Sequence, residues 1–114
     1  MSDVAEDIAF VEVGERDDLW IGEMRRCDVS GQPVLLLNVD GEIHAYADAC
    51  PHQAVSLSEG EFDGRRLTCR AHRWRFDVGS GRSINPAGSC LRRFPVKIVD
   101  GRILVGDQPI TSLA

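Results

Sequence analysis

The sequence predicts an all-β fold, and three observations carry that reading. No segment keeps apolar residues at i, i+3, i+4 and i+7 over three turns, so no long amphipathic helix is expected. Apolar residues instead alternate or run in short stretches. The pairs Asp40-Gly41 and Asp100-Gly101 each separate two β-rich runs, and such pairs accept the positive φ angles of a two-residue hairpin turn at low cost.

In chain order, strands are expected at residues 9–13, 22–29, 33–39, 42–47, 66–69, 74–77, 93–99 and 102–106. Ser30-Gly31 and Asp63-Gly64 are weaker turn signals of the same kind as the two hairpin pairs. Residues 79–89 hold Gly79, Gly81, Pro86 and Gly88 and are expected to form a loop. Two stretches, 49–60 and 69–73, interrupt the meander and carry Cys and His where a sheet protein normally places turn residues.

The chain of 114 residues has room for one domain, and its hydrophobic share of 43% and charged share of 27% are those of a globular protein. A formal net charge of -5 argues against a general affinity for nucleic acid or anionic lipid. The first ten residues contain Asp3, Glu6 and Asp7 and no basic residue, unlike a secretory leader, and apolar runs such as 34–37 are far shorter than a membrane span. A cytoplasmic protein without membrane contact is expected. Acidic residues crowd the N-terminal stretch (Asp3, Glu6, Asp7, Glu12, Glu15, Asp17, Asp18), whereas Arg65, Arg66, Arg70, Arg73 and Arg75 cluster around the second interruption. Each cluster is either ordinary solvated surface or a docking field for a charged partner.

Cys50-Pro51-His52 and Cys69-Arg70-Ala71-His72 give the spacing C-x-H, sixteen intervening residues, then C-x-x-H. Two short loops that each offer two soft or borderline ligands can approach one metal site from opposite sides. In a Rieske centre two thiolates hold one iron and two imidazoles the other, each loop supplying one of each. A structural zinc site is the alternative, since Cys2His2 is also a tetrahedral zinc set. Zinc fingers, however, usually take both Cys from one knuckle and both His from a helix, and here each loop is mixed. His44, between Ile43 and Ala45 in an expected strand, reads as a surface or core residue. Cys27 and Cys90 lie outside the motif and are expected to be free thiols in a reducing compartment.

With these motifs, the sequence resembles the Rieske ferredoxin family. More narrowly it is similar to the ferredoxin components of toluene 4-monooxygenase and related multicomponent diiron monooxygenases. The shared phrases are Leu19-Trp20-Ile21-Gly22-Glu23-Met24, Cys50-Pro51-His52-Gln53, Leu57-Ser58-Glu59-Gly60, Cys69-Arg70-Ala71-His72 with Trp74, and Ile84-Asn85-Pro86. The likeness runs from about residue 10 to residue 105. It implies stacked antiparallel sheets in a single domain over residues 1–114. A cluster-binding subdomain of about residues 48–90 would be built from two ligand loops and a third, proline-bearing loop.

The resemblance further implies one 2Fe-2S cluster on Cys50, His52, Cys69 and His72, with Pro86 in the covering loop and Gln53 at an exposed rim that touches a partner. Trp74 either packs beside the cluster or sits in the core. The chain would be a monomeric electron carrier, not an enzyme, taking electrons from a NADH-dependent reductase to a diiron hydroxylase of an aromatic hydrocarbon system. The alternatives are a ferredoxin of an aromatic-ring dioxygenase system and a zinc-stabilised interaction module. High-potential relatives carry an extra disulfide between the ligand loops and Ser and Tyr hydroxyls bonded to sulfur. Here Val55 and Ala71 stand at the bridge positions, and Trp74 and Phe76 at the hydroxyl positions. The expected potential is therefore near the low end of the Rieske range, which spans roughly -150 to +300 mV.

Overall fold

The run Val34-Leu35-Leu36-Leu37 shows no polar alternation because both of its faces are covered, each of the four side chains being fully buried. The computed structural model describes residues 9–49, 56–70, 74–85 and 90–110. Its strands are β1 (Phe10–Glu15), β2 (Met24–Val29), β3 (Gln32–Val39), β4 (Glu42–Ala47), β5 (Glu61–Phe62), β6 (Arg66–Thr68), β7 (Arg75–Asp77), β8 (Arg82–Asn85), β9 (Arg93–Phe94), β10 (Val96–Val99) and β11 (Arg102–Gly106). They form three antiparallel sheets with strand orders β1-β11-β10, β2-β3-β4-β9 and β5-β6-β7-β8.

The middle sheet, β2-β3-β4-β9, has a core on each face. Val34, Leu36, Ala45 and Phe94 point one way and meet Ile103 and Val105 of β11. Leu35, Leu37 and Tyr46 point the other way and meet Leu57, Leu67, Phe76 and Val78. Side chains alternate across a strand, so one apolar run serves two cores. Each fully buried Leu or Val contributes roughly 1.5–3 kcal/mol relative to exposure.

All three Xaa-Gly pairs that connect long strands are hairpin turns with positive φ at both central residues. They are Ser30 (52°) with Gly31 (84°), Asp40 (54°) with Gly41 (96°), and Asp100 (52°) with Gly101 (78°). The Ser30-Gly31 signal is thus as strong as the other two. At Asp63-Gly64, Asp63 Oδ1 instead accepts the N–H groups of Arg65 and Arg66 at 3.0 and 2.8 Å, and these bonds hold its carboxyl below the usual range.

Two expectations need correction. The single strand 93–99 is two, because Pro95 offers no N–H and the chain changes sheets there: β9 pairs with β4 and β10 with β11. The expected loop 79–89 contains a strand, β8, paired antiparallel to β7 with a bulge between Arg75 and Phe76. Four residues framed by glycines give too short a period-2 signal to distinguish from a turn. The short strand β5 and the 3-10 turns at Arg16–Asp18 and Leu57–Glu59 also fall where no element was expected.

The chain leaves the middle sheet at Ala47, builds β5 to β8, and returns as β9 beside β4. Buried links hold this excursion to the sheet it left. The Tyr46 hydroxyl donates to the Val78 carbonyl at 2.5 Å, and Arg93 lies over the Tyr46 ring at 5.7 Å from its centroid. Arg93 Nη2 also bonds His44 Nδ1 at 2.5 Å. His44 stacks on Tyr46 and places Nε2 at 3.2 Å from Glu42 Oε1. Burial first, then the Arg93 charge, pushes His44 below its ordinary pKa. A neutral ring that accepts at Nδ1 and donates from Nε2 satisfies both neighbours. His44 is therefore a core residue, which decides between the surface and core settings the sequence left open.

Candidate metal centre

Both interruptions noted in the sequence leave from strand ends and return to positions fixed by hydrogen bonds. The first departs after β4. Asp48 is buried there, and its N–H donates to the Pro33 carbonyl at 3.0 Å. Its Oδ1 accepts the Ser58 N–H at 2.8 Å and its Oδ2 accepts the Ser58 hydroxyl at 2.9 Å. Arg26 Nε lies 3.3 Å from the same Oδ2. Leu57, fully buried beside Ser58, anchors the returning chain in the core. The segment that includes Cys50, His52 and Gln53 thus has its two ends joined.

The second interruption is the connection of the β6–β7 hairpin. The Cys69 N–H donates to the Trp74 carbonyl at 2.6 Å, which ties the end of β6 to the residue before β7. Cys69 is fully buried and belongs to the apolar cluster of Leu57, Leu67, Phe76 and Tyr46, against which Trp74 packs, half-buried. Trp74 and Phe76 are themselves tilted ring neighbours with centroids 6.5 Å apart. Of the two settings open to Trp74, the described contacts show it at the edge of the core that encloses Cys69.

Gly60 joins the two loops. A Cβ built on it would stand 2.1 Å from the Thr68 carbonyl oxygen, so the turn after Leu57–Glu59 presses directly on the residue before Cys69. On the outside of this contact Arg70 pairs with Glu59 at 2.8 Å. Arg65, Arg66 and Arg75 are exposed on the same excursion.

Of the residues singled out in the sequence, Cys69 and Trp74 are brought together. Cys50, His52, Gln53, His72, Pro86 and Arg73 lie outside the described residues. Val55 and Ala71 do as well, whereas Phe76 is fully buried and presents only carbon. Cys27 and Cys90 form no disulfide. Cys27 is half-buried on β2, and burial pushes its thiol up to about 11, with Arg25 working against the shift. Three elements of the site escaped the sequence reading: the Asp48–Ser58 pair, the Tyr46–Val78 bond and the Gly60 approach. Only the phrase Leu57-Ser58-Glu59-Gly60 hinted at any of them.

Residues 9–95 match the model of the Rieske [2Fe-2S] domain. The ferredoxin component of the alkene monooxygenase system of Xanthobacter autotrophicus is 50% identical over 107 residues, covering 92% of this chain and 87% of that protein. The ferredoxin component of the naphthalene 1,2-dioxygenase/salicylate 5-hydroxylase systems of a Ralstonia species is 34% identical, covering 84% and 93%. Among solved structures, a complex of reduced oxygenase and oxidized ferredoxin in carbazole 1,9a-dioxygenase superposes with TM-score 0.83 at 28% identity, over 90% of this chain and 97% of the matched one. The ferredoxin of carbazole 1,9a-dioxygenase from Nocardioides aromaticivorans gives 0.77 at 28% identity, over 85% and 96%. The chain belongs to the Rieske [2Fe-2S] domain family, as a ferredoxin that carries electrons on one 2Fe-2S cluster rather than as a catalytic enzyme.

Proposed function

We propose that Cys50, His52, Cys69 and His72 hold the cluster, and that the chain passes single electrons from a NADH-dependent reductase to the diiron hydroxylase of a hydrocarbon monooxygenase. The donor chemistry fits: two thiols and two imidazoles, one of each per loop, are the Rieske set. Cys69 carries the reading furthest, because it is fully buried in an apolar layer and its N–H is held by the Trp74 carbonyl. When bound, the cluster supplies a centre that takes and releases one electron.

The protein's own part is to hold that centre rigidly and to keep water from it. Asp48, Ser58 and Leu57 fix both ends of the first loop, and Cys69, Trp74 and Gly60 fix the second. Anchors of this kind at the segment ends favour a small reorganisation on electron transfer. Phe76 and Trp74 bring no hydroxyl to the sulfurs, which supports a potential low in the Rieske range.

The monooxygenase reading is supported by the 50% identity to an alkene monooxygenase ferredoxin, so the oxidised hydrocarbon is an alkene or an aromatic of the toluene type. We place the chain in the cytoplasm as a monomer, one domain over residues 1–114 with the cluster subdomain at about 48–90. Gln53 and Pro86 flank the cluster in this reading. Among the described residues no helix is long and apolar enough to cross a membrane.

A ring-dioxygenase system is the second reading, favoured by the naphthalene and carbazole relatives. The deciding experiment mixes dithionite-reduced protein with a purified diiron hydroxylase and, separately, with a Rieske-type terminal dioxygenase, and measures single-turnover product. Product with the hydroxylase alone is expected. Zinc without acid-labile sulfide in natively prepared protein would overturn the cluster and with it the electron-transfer role.

A further inference from the structure

The connection between β1 and β2 exposes two adjacent apolar side chains, Trp20 at 70% and Ile21 at 66%. That connection is well fastened. Trp20 Nε1–H donates to the Asp17 carbonyl at 3.0 Å, the Trp20 N–H donates to Glu23 Oε1 at 2.8 Å, and the Glu23 N–H returns to the Trp20 carbonyl at 2.9 Å. Buried Asn38 ties both ends: its Nδ2 donates to the Leu19 carbonyl at 2.8 Å, and its carbonyl accepts the Gly22 N–H at 2.9 Å. Leu19 is itself in the core. Backbone freedom between residues 19 and 23 has already been given up, so contact at Trp20 and Ile21 costs little further ordering. A rigidly presented Trp beside a second apolar side chain is the composition of an interface anchor.

The surroundings specify what it fits. Glu15, Asp17, Asp18 and Glu23 are exposed and flank the pair along the chain, with Asp17 lining the recess beside Trp20 and Ile21; Arg16 lines that recess too, its Nη2 donating to the Gly41 carbonyl at 2.9 Å. An acidic collar around an apolar knob is complementary to an apolar recess rimmed by Lys and Arg. A second copy of the chain meeting it about a two-fold axis would set collar against collar, which like charge disfavours.

The position separates this patch from the Asp48 anchor of the first interruption. Asn38 lies at the Asp40-Gly41 end of β3, whereas Pro33, whose carbonyl holds Asp48, is at the other end. At about 3.3 Å per residue the two are roughly 17 Å apart along the strand.

We infer that Trp20 and Ile21 are a docking anchor for a basic-rimmed apolar recess on the oxygenase component, distinct from the contacts that bring the cluster to its acceptor. This rests on the reading of the chain as the electron donor of an oxygenase. The oxygenase is chosen over the reductase because a related ferredoxin is solved in complex with its oxygenase.

The test measures, by calorimetry, binding of the holoprotein to its purified hydroxylase for wild type, Trp20→Ala/Ile21→Ala and Asp17→Lys/Asp18→Lys. The second variant changes only exposed side chains and guards against a fold defect in the first. Each variant is expected to bind at least tenfold more weakly, with the reduced-cluster paramagnetic resonance spectrum and the rate of reduction by the reductase unchanged. Affinities within twofold of wild type would overturn the inference, as would slowed reduction by the reductase alone, or a wild-type dimer in sedimentation that Trp20→Ala/Ile21→Ala dissociates. Failure of the wild-type protein to reduce the hydroxylase would instead count against the proposed function, so the two can fail separately.

Discussion

Asp48 grips Ser58 with both carboxylate oxygens, one on the backbone N–H and one on the hydroxyl, and so ties residue 48 to residue 58 across the segment that includes Cys50 and His52. Hydrogen bonds to a buried charged group are worth roughly 1.5–3 kcal/mol each. The Arg26 contact adds little, because that side chain is half in water. Asp48→Ala is expected to cost about 2–4 kcal/mol, and Ser58→Ala, which keeps the N–H bond, about 1 kcal/mol. In a domain of this size each 1 kcal/mol is about 4–8 °C in Tm. Thermal melts followed at the visible cluster band should show Asp48→Ala losing its cluster well before wild type, with Ser58→Ala between them.

Tyr46→Phe removes the donor of the Val78 carbonyl without changing the packing of the ring. Burial keeps the phenol protonated by pushing its pKa up, so the bond is present at all ordinary pH. Its loss leaves a buried carbonyl unpaired, at roughly 1–3 kcal/mol. Urea unfolding should give a lower midpoint with an unchanged slope; equal midpoints would mean that the excursion β5 to β8 is held by apolar contact alone.

The lowered pKa of His44 makes stability depend on pH in a defined direction. The folded protein holds the ring neutral, whereas the unfolded chain protonates it near the ordinary value of about 6.5. Between the two the unfolded state binds more protons, so this contribution is complete above about 6.5 and is lost as pH falls toward the folded value. His44→Gln is expected to narrow the difference in Tm between pH 8 and pH 5 relative to wild type. A difference as large in the variant would assign the acid sensitivity to other groups.

Much of this was legible in the sequence, for physical reasons that can be named. Asp40-Gly41 and Asp100-Gly101 announced their hairpins because few other pairs tolerate two positive φ angles. The C-x-H and C-x-x-H pairs carry the expectation of the centre because metal-ligand chemistry restricts both residue type and spacing, and of the four residues Cys69 is the one that lies among the described residues. Asp48, Ser58 and Tyr46 gave no such signal. Each is an ordinary residue whose role arises only when the middle sheet places it opposite a partner distant in sequence. Strand β8 was hidden for a related reason: four residues pair with β7 because of the hairpin that delivers them, not through any pattern of their own.

Phe76 is fully buried in the layer that holds Cys69, and it stands where high-potential relatives of the resemblance carry a hydroxyl. Phe76→Tyr is expected to raise the midpoint potential by roughly 40–60 mV, the equivalent of about 1 kcal/mol for one electron, through a bond to a ligand sulfur. Protein-film voltammetry on both proteins decides it. An unchanged midpoint with an intact cluster would mean that the new hydroxyl reaches no sulfur, and Tm would then fall by the cost of its burial.

Gly60 gives the most local test of how the two loops are coupled. Its φ of -88° is open to any residue, so the argument rests on space alone. A methyl group there would stand 2.1 Å from the Thr68 carbonyl oxygen, which is backbone and cannot rotate aside. Either the Leu57–Glu59 turn or the end of β6 must move, and β6 leads directly into Cys69. Gly60→Ala is expected to cost more than about 2 kcal/mol, within the range for overpacking a buried contact. It should also shift the g-values of the reduced cluster if Cys69 is the ligand proposed above, because the strain is delivered to the end of β6. Gly79→Ala is the control: that glycine is exposed, and its nearest neighbour is the Asp77 side chain at an ordinary 3.8 Å. Equal stability and identical spectra for both variants would show that the first loop does not set the position of the second.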